Sequence, residues 1–238
     1  MARSVVMRNF LIALGLVLGI TTALWAQVET PGTYGDAMRW YERSARAGSA
    51  PAQFYLGLMH ETGTNVEASH VQAVRWFRKA AEQGHALAQY RLATYHHFGL
   101  GIPVDFRKAE IWYRKAANQG VAEAAFNLGF LLENGLGAQG DAAQAVNEAV
   151  KWYLQAAEAG LSSAQFNLGA LFANGKTGIE KDLARGWFWL DAAAMNGEEG
   201  AAKSRDALAA QMSEDELKRA RDLASARHYP KPKPAPRP

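Results

Sequence analysis

The sequence predicts an all-α protein, built as an α-solenoid of stacked helix-turn-helix repeats. Three observations indicate this fold class. A tryptophan recurs five times, at intervals of 36, 36, 40 and 37 residues. Apolar residues around it follow helical spacing, as in Ala73, Trp76, Phe77 and Ala80. Glycine-rich segments separate the helical stretches, and a period of this length with two helices per unit is typical of a helical repeat array.

Residues 1–26 have the pattern of a secretory signal peptide. Two arginines precede an uncharged apolar run that begins at Phe10, and small residues follow it. We expect cleavage between Ala26 and Gln27, which leaves 27–35 as a short linker. An uncleaved N-terminal membrane anchor is the alternative, because the apolar stretch approaches the roughly 20 residues that span a bilayer. The leader predicts a periplasmic or secreted protein, with no stable membrane insertion after its removal.

The recurring tryptophans mark the second helix of each unit, and a glycine follows each of them eight residues later. Glycine tolerates the left-handed conformation that ends many helices, so these glycines predict the helix ends. We expect the indoles to belong to the repeat core and to fill the gap between successive helix pairs. The tryptophans are Trp40, Trp76, Trp112, Trp152 and Trp189. The predicted solenoid spans 36–197, with a half repeat at 36–48 and full repeats at 49–84, 85–120, 121–160 and 161–197.

Another helix precedes the tryptophan helix in every full unit. It carries a core leucine, followed in three units by glycine, which is predicted to let the two helices of a pair approach closely. The core leucines are Leu56, Leu92, Leu128 and Leu168. A capping residue is predicted at the start of each following tryptophan helix, because its side chain can accept a hydrogen bond from a backbone amide there. These residues are Ser69, Asp105, Asp141 and Asp182.

The C-terminal part departs from the repeat pattern. Residues 198–228 lack the tryptophan and are predicted to form two capping helices, the second of them opened by a capping box of Ser213 and Glu216. A solenoid needs such a polar end to stay soluble. The last segment, 229–238, holds five of the eight prolines and is predicted to be an extended basic tail.

Composition and motifs argue against several functional classes. The chain has no cysteine, which excludes disulfides, thiol nucleophiles and cysteine-ligated metals. Its net charge is +3, but residues 27–226 hold twenty bases and 23 acids, so a nucleic-acid partner is not expected. Serine acylation motifs and the His-Glu-x-x-His motif are absent, so no catalytic residue, metal site or cofactor is predicted. His60 and His96 occupy equivalent repeat positions and are predicted to be partly buried, whereas His97 is predicted to be solvated.

The unit AQYRLATYHHFGLGIPVDFRKAEIWYRKAANQG resembles a Sel-1-like repeat, a relative of the tetratricopeptide repeat. The resemblance covers the leading half unit and the four full units. It implies a right-handed α-solenoid that serves as an adaptor or regulator and binds a protein or peptide on its concave face. In related tetratricopeptide proteins, an asparagine just before the core leucine can hold a peptide backbone. The residues at that position here are Tyr55, Arg91, Asn127 and Asn167, which are the candidate peptide-binding residues.

Two other functions remain open at the level of sequence. Some cysteine-rich secreted relatives of this family are linked to β-lactam or peptidoglycan recognition, so an envelope enzyme of that type is the alternative to a binding scaffold. This chain lacks their cysteine pairs. The proline-rich tail is also a possible ligand for another protein or for an anionic wall polymer.

The leader makes a direct prediction about the exported chain. N-terminal sequencing of the protein recovered from the periplasm or medium should begin at Gln27, with cleavage after Ala23 as the rival site. A chain that still begins at residue 1 or 2 and stays in the membrane fraction would indicate the anchor instead.

Overall fold

The computed structural model describes residues 34–137 and 140–226; the predicted leader, most of the linker and the proline-rich tail lie outside them. Within these ranges the chain forms eleven α-helices and no β-strand, which confirms the predicted fold class. The helices are α1 (Tyr34–Arg46), α2 (Ala50–Thr62), α3 (His70–Glu82), α4 (Ala86–Phe98), α5 (Phe106–Asn118), α6 (Ala122–Glu133), α7 (Ala142–Glu158), α8 (Ser162–Asn174), α9 (Leu183–Met195), α10 (Ala201–Ala209) and α11 (Glu214–Ala226). None of these eleven is both long enough and apolar enough to cross a bilayer.

The helices pack in the order in which they occur along the chain. Helices α2 to α9 form four pairs, and the second helix of each pair also contacts the first helix of the next pair. Helix α1 is the second helix of a half unit, and α10 and α11 both pack on α9 at the other end. Each unit therefore packs its two helices against each other and buries further apolar surface against the adjacent units, as expected for a repeat array.

The core of each pair is built around the leucine of the first helix. All four core leucines are at most 3% exposed. The next residue contacts the second helix so closely that a side chain has little room: a Cβ atom on Gly129 would lie 2.8 Å from Cδ1 of Tyr153, and one on Gly169 would lie 2.6 Å from Cγ of Leu190. Glycine at this position therefore sets the distance between the two helices of a pair.

The residue that fills this contact is the one after the tryptophan, not the tryptophan itself. Phe77, Tyr113 and Tyr153 are completely buried. Of the five tryptophans, Trp189 is buried and Trp40 is exposed, and the other three are partly exposed. Because successive side chains on a helix are about 100° apart, only one of two neighbours can point straight at the paired helix. The indoles consequently lie beside this contact. Trp112 packs against two successive clusters of buried residues, as expected of a residue that fills the gap between helix pairs.

A series of buried glutamines joins one unit to the next. Nε2 of Gln89, on α4, donates to the carbonyl oxygen of Ala81 on the preceding helix at 3.2 Å. Its Oε1 accepts from Nε2 of Gln119 in the following turn at 2.7 Å. Gln53 and Gln165 make the equivalent pairs of contacts in the first and fourth units. Since an unpaired buried amide is costly, these bonds favour one stacking geometry between units.

The helix starts follow the predicted caps. Asp105 and Asp182 each accept a hydrogen bond from a backbone amide of the following helix at 3.0 Å. Ser69 and Asp141 do the same at the starts of α3 and α7. The capping box of α11 is also present: the amide of Ser213 donates to Oε2 of Glu216 at 2.8 Å, and the hydroxyl of Ser213 accepts from the amide of Glu216 at 3.3 Å.

The second glycine of each inter-helix loop has a packing role. Gly137 has a φ of +88°, and a Cβ there would lie 2.7 Å from the carbonyl oxygen of Phe106 at the start of α5. Gly101 makes the same kind of approach to the start of α3. In the first unit Asn65 takes the left-handed conformation instead, with a φ of 63°. These loops therefore rest on the tryptophan helix of the previous unit.

The close contact inside each pair predicts the effect of enlarging its glycine. Gly129→Val should lower the free energy of unfolding by about 2 kcal/mol, because overpacking at Tyr153 forces the two helices apart. Urea unfolding followed by circular dichroism measures this. Gly140→Val is the control, since a Cβ there meets nothing within 4 Å. Equal losses in the two variants would contradict the assigned role of the contact.

Candidate functional site

The four candidate peptide-binding residues occupy equivalent places on the first helices α2, α4, α6 and α8. Each precedes a buried leucine, so its own side chain turns away from the core. Tyr55 is 48% exposed, and Arg91, Asn127 and Asn167 are partly exposed. The repeat therefore places all four on the surface formed by the first helices, but their surroundings differ.

The side chains at the first two positions, Tyr55 and Arg91, already contact other residues of the protein. The ring of Tyr55 lies 5.3 Å from that of Tyr41 and borders an apolar groove of about 240 Å³ that also contains Leu58. Nη1 of Arg91 lies 3.7 Å from Oε1 of Glu61, so its charge is already paired. Neither residue offers a free amide to a peptide backbone.

The last two positions carry amide groups that remain available. Among the described residues, the side chain of Asn127 has no hydrogen-bond partner. Nδ2 of Asn167 makes one long contact, at 3.5 Å, with the hydroxyl of Tyr153, which leaves its carbonyl oxygen free. Asn167 lines a groove of about 290 Å³ between α6 and α8, together with Phe130 and Asn174. We call this surface the amide groove and define it by Phe130, Glu133, Asn134, Asn167, Asn174 and Lys176. Asn127 lies about one helical turn before Phe130 on α6.

Charges in the amide groove are neutralised from within. Glu133 accepts a hydrogen bond from the hydroxyl of Tyr153 at 2.8 Å, and Nζ of Lys176 lies 3.0 Å from its other oxygen. Burial and the neighbouring carboxylate raise the pKa of Tyr153 far above its ordinary value, so the hydroxyl stays a donor. The groove therefore offers amides, a paired carboxylate and an exposed phenyl ring, which suits an uncharged extended chain.

An aromatic cluster extends this surface toward the second unit. The imidazole of His97 stacks on Phe98 with ring centroids 4.2 Å apart, and its Nδ1 lies 3.3 Å from the hydroxyl of Tyr113. Phe130 of the amide groove is 6.2 Å from the same imidazole. His97 remains partly exposed, as expected of a solvated residue, but its ring also packs against aromatic side chains of three helices. Phe98 itself is 60% exposed and available to a ligand.

The neighbouring histidine is more deeply placed. His96 is buried, and its Nδ1 has no hydrogen-bond partner within the described residues. Burial lowers the pKa of His96, with the nearby Lys108 acting in the same direction. Burial also lowers the pKa of His85 and of His97. In the described ranges, these histidines and the acidic residues do not assemble into a group of three that could hold a metal ion.

These features define a helical-repeat protein built from paired helices. A Sel1 repeat model matches residues 34–49, 50–85, 86–121, 122–161 and 162–198, more than half of the sequence. The chain belongs to the Sel1 repeat family, whose members are generally protein-interaction scaffolds.

Solved structures support the same assignment. The chain is similar to a Sel1 repeat protein from Oxalobacter formigenes, with 37% identity, a TM-score of 0.63, and coverage of 70% of this chain and 66% of that one. It is also similar to c5321, a protective antigen present in uropathogenic Escherichia coli strains that displays an SLR fold, with 29% identity and a TM-score of 0.50. That match covers 82% of this chain and 48% of c5321. No curated protein sequence matches the chain.

The histidines predict how stability depends on pH. A group whose pKa is lower in the folded state than its ordinary value of about 6.5 contributes its full stabilisation above that pH. The contribution is lost as the pH falls through the folded-state pKa, because protonation then favours the unfolded chain. The free energy of unfolding should therefore be steady between pH 7 and 8 and should decrease below about pH 6.5.

Urea unfolding at a series of pH values measures this decrease, and NMR titration of the imidazoles assigns it. His97→Phe should reduce the pH dependence, since the phenyl ring keeps the aromatic contacts and cannot take up a proton. A profile that stays flat to pH 5, or imidazoles that titrate at ordinary values, would contradict the prediction.

Proposed function

We propose that this protein is a non-enzymatic interaction scaffold or regulator of the cell envelope, and that it binds a protein or peptide partner along its first helices. The observation that carries the proposal is the pair of available amides at equivalent positions of adjacent units, Asn127 and Asn167. An asparagine side chain has both a donor and an acceptor, which matches the two polar groups of a peptide unit.

The spacing of the two amides suits an extended segment. The two asparagines lie on the first helices of adjacent units, and an extended chain, which advances about 3.3 Å per residue, can run across both helices. Phe98 and Phe130 offer apolar contacts beside them, and the rigid repeat scaffold keeps the ordering cost of binding low.

The absence of free charge in the amide groove favours a particular kind of partner segment. Glu133 and Arg91 are both paired within the protein. Recognition would therefore depend on the partner's backbone and on apolar side chains, and less on its charge. In this mode, hydrogen bonds from the asparagine side chains to the partner's main chain would supply affinity, and the exposed phenyl rings would select its apolar side chains.

The envelope location and the absence of catalysis belong to the same proposal. The leader pattern in residues 1–26 supports export, with removal of the leader after Ala26. The Sel1 repeat fold is typically a non-catalytic scaffold. No feature of the described residues favours the alternative of a β-lactam or peptidoglycan enzyme, so we do not propose it.

Replacing both amides tests the groove. Asn127→Ala combined with Asn167→Ala should weaken capture of the partner from envelope extract at least tenfold, since each lost hydrogen bond to a peptide costs about 1 kcal/mol or more. The melting temperature should change little, because neither side chain is part of the core. Quantitative pull-down with isotope-labelled extracts, alongside calorimetry, measures both quantities.

The matched control removes two amides from the second helices. Gln72 and Asn118 are exposed, and Gln72→Ala with Asn118→Ala should leave capture unchanged. If both double variants lose the same partner equally, or if the groove variant loses its fold together with binding, the amide groove is not the recognition site.

A further inference from the structure

The second helices of the first two full units have an excess of positive charge that the whole-chain balance hides. Helix α3 has three basic residues and one acidic residue, and α5 has four basic residues and one acidic residue. Helix α6, which contributes to the amide groove, has two acidic residues and no basic one. The basic residues therefore lie on a different layer of the solenoid from the groove.

Most of these charges are not neutralised by carboxylates. Within the described ranges, Arg75, Arg78 and Arg107 are exposed and make no ion pair. Nζ of Lys79 lies 4.3 Å from the ring centre of Trp76, and Nζ of Lys115 lies 4.1 Å from that of Trp112. A cation over an indole keeps its full charge, so both units present the same motif of a lysine above a partly exposed tryptophan.

Apolar side chains lie between these cations. Ile111 is 53% exposed and Val71 is 47% exposed. Arg107, Ile111 and Lys115 are four residues apart, so they share one face of α5. Val71, Arg75 and Lys79 have the same spacing on α3. We call these six residues the outer face.

We propose that the outer face docks on a membrane surface rich in anionic phospholipid. Each Lys or Arg near such a surface is attracted by the headgroups. The exposed isoleucine and valine, with the edges of the two indoles, match the boundary between headgroups and acyl chains, where a basic and apolar helix face lies in the plane of the membrane.

The apolar component favours a membrane over a nucleic acid. A phosphate backbone attracts the same cations, but it offers no apolar environment for Ile111 and Val71. In a bilayer interface the long lysine and arginine side chains reach the headgroups while shorter apolar side chains enter below them. The surface also continues onto α1, where Trp40 and Arg43 are exposed in the equivalent places.

The proposal goes beyond the scaffold function and does not depend on it. The amide groove lies on the first helices and the outer face on the second helices, so one surface can fail its test while the other passes. A protein that uses both would hold its partner at a membrane surface.

The lack of native cysteine allows a site-specific test on the full chain. Ile111→Cys and, as the control site, the exposed Ala202→Cys on α10 are each labelled with the polarity-sensitive fluorophore NBD. With vesicles of phosphatidylcholine containing 30 mol% phosphatidylglycerol (roughly the anionic content at which basic faces bind), emission at position 111 should at least double, and 0.5 M salt should reverse the rise. Emission at position 202, and at either site with pure phosphatidylcholine, should not change.

This design distinguishes membrane binding through the outer face from membrane binding through either end of the chain. If the leader or the basic tail alone brings the protein to the vesicle, the labels at 111 and 202 will respond alike, and the proposal is overturned. The same holds if the label at 111 responds equally to neutral vesicles.

Matched charge variants in the Ile111→Cys background complete the test. Arg75→Gln, Lys79→Gln and Lys115→Gln together should raise the lipid concentration for half of the NBD response at least tenfold, since each charge contributes roughly fivefold. The control removes one arginine and two lysines from the C-terminal cap. It combines Lys203→Gln, Lys218→Gln and Arg221→Gln and should shift the response less than twofold. Equal shifts in the two variants overturn the proposal.

A 20-base-pair fluorescent DNA duplex at the same ionic strength is the remaining arm. The membrane proposal expects no duplex binding that depends on the three replaced charges, Arg75, Lys79 and Lys115. Duplex binding that the outer-face variant loses and the cap variant keeps, without an NBD response to anionic vesicles, would identify a nucleic-acid surface instead.

Discussion

The two helices of each unit approach so closely that only a small residue fits between them, and this contact sets the geometry of the whole array. A glycine or alanine after the core leucine lets the first helix settle against the residue that follows the tryptophan. Because the same contact recurs in four units, each pair has nearly the same geometry, and identical pairs stack into a regular array. It also fixes the rotation of the first helix, which turns the residue before the leucine outward in every unit. The candidate peptide-binding positions are therefore a consequence of core packing.

Stacking between units depends on polar contacts as well as on apolar burial. The buried glutamines tie each first helix to the helix before it and to the turn after it, and they leave few alternatives because an unpaired amide there is costly. The third unit shows how the system tolerates an exception. Ala125 replaces the glutamine, and Gln155 from the next helix donates to the carbonyl oxygen of Ala117 at 2.7 Å. Gln155 thus makes the hydrogen bond to the carbonyl group that the glutamine equivalent to Ala125 makes in the other units.

The first and second helices of the solenoid differ in how far their charged side chains form ion pairs. On the first helices, Glu61 and Glu133 are paired with Arg91 and Lys176, so the surface presents amides and aromatic rings. On the second helices of the first two full units, basic residues outnumber acidic ones, and Arg75, Arg78 and Arg107 make no ion pair within the described residues. The third unit ends this pattern: Glu148 pairs with Arg114 and accepts from Trp152, which neutralises the surface of α7. A neutral groove and a basic outer face are two different recognition surfaces on one rigid frame.

Much of this fold could be predicted from patterns in the sequence. The fold class followed from the period of the tryptophans and from the spacing of the apolar residues. The capping side chains and the capping box of α11 act within one helical turn, so the starts of these helices were also predictable. Which residue fills each pair was not, because that depends on the rotation of one helix against another. The tertiary structure also decided that Arg91 pairs with Glu61 and that the ring of His97 packs against aromatic rings of three helices. Those contacts join residues on different helices, brought together by packing that no local pattern encodes.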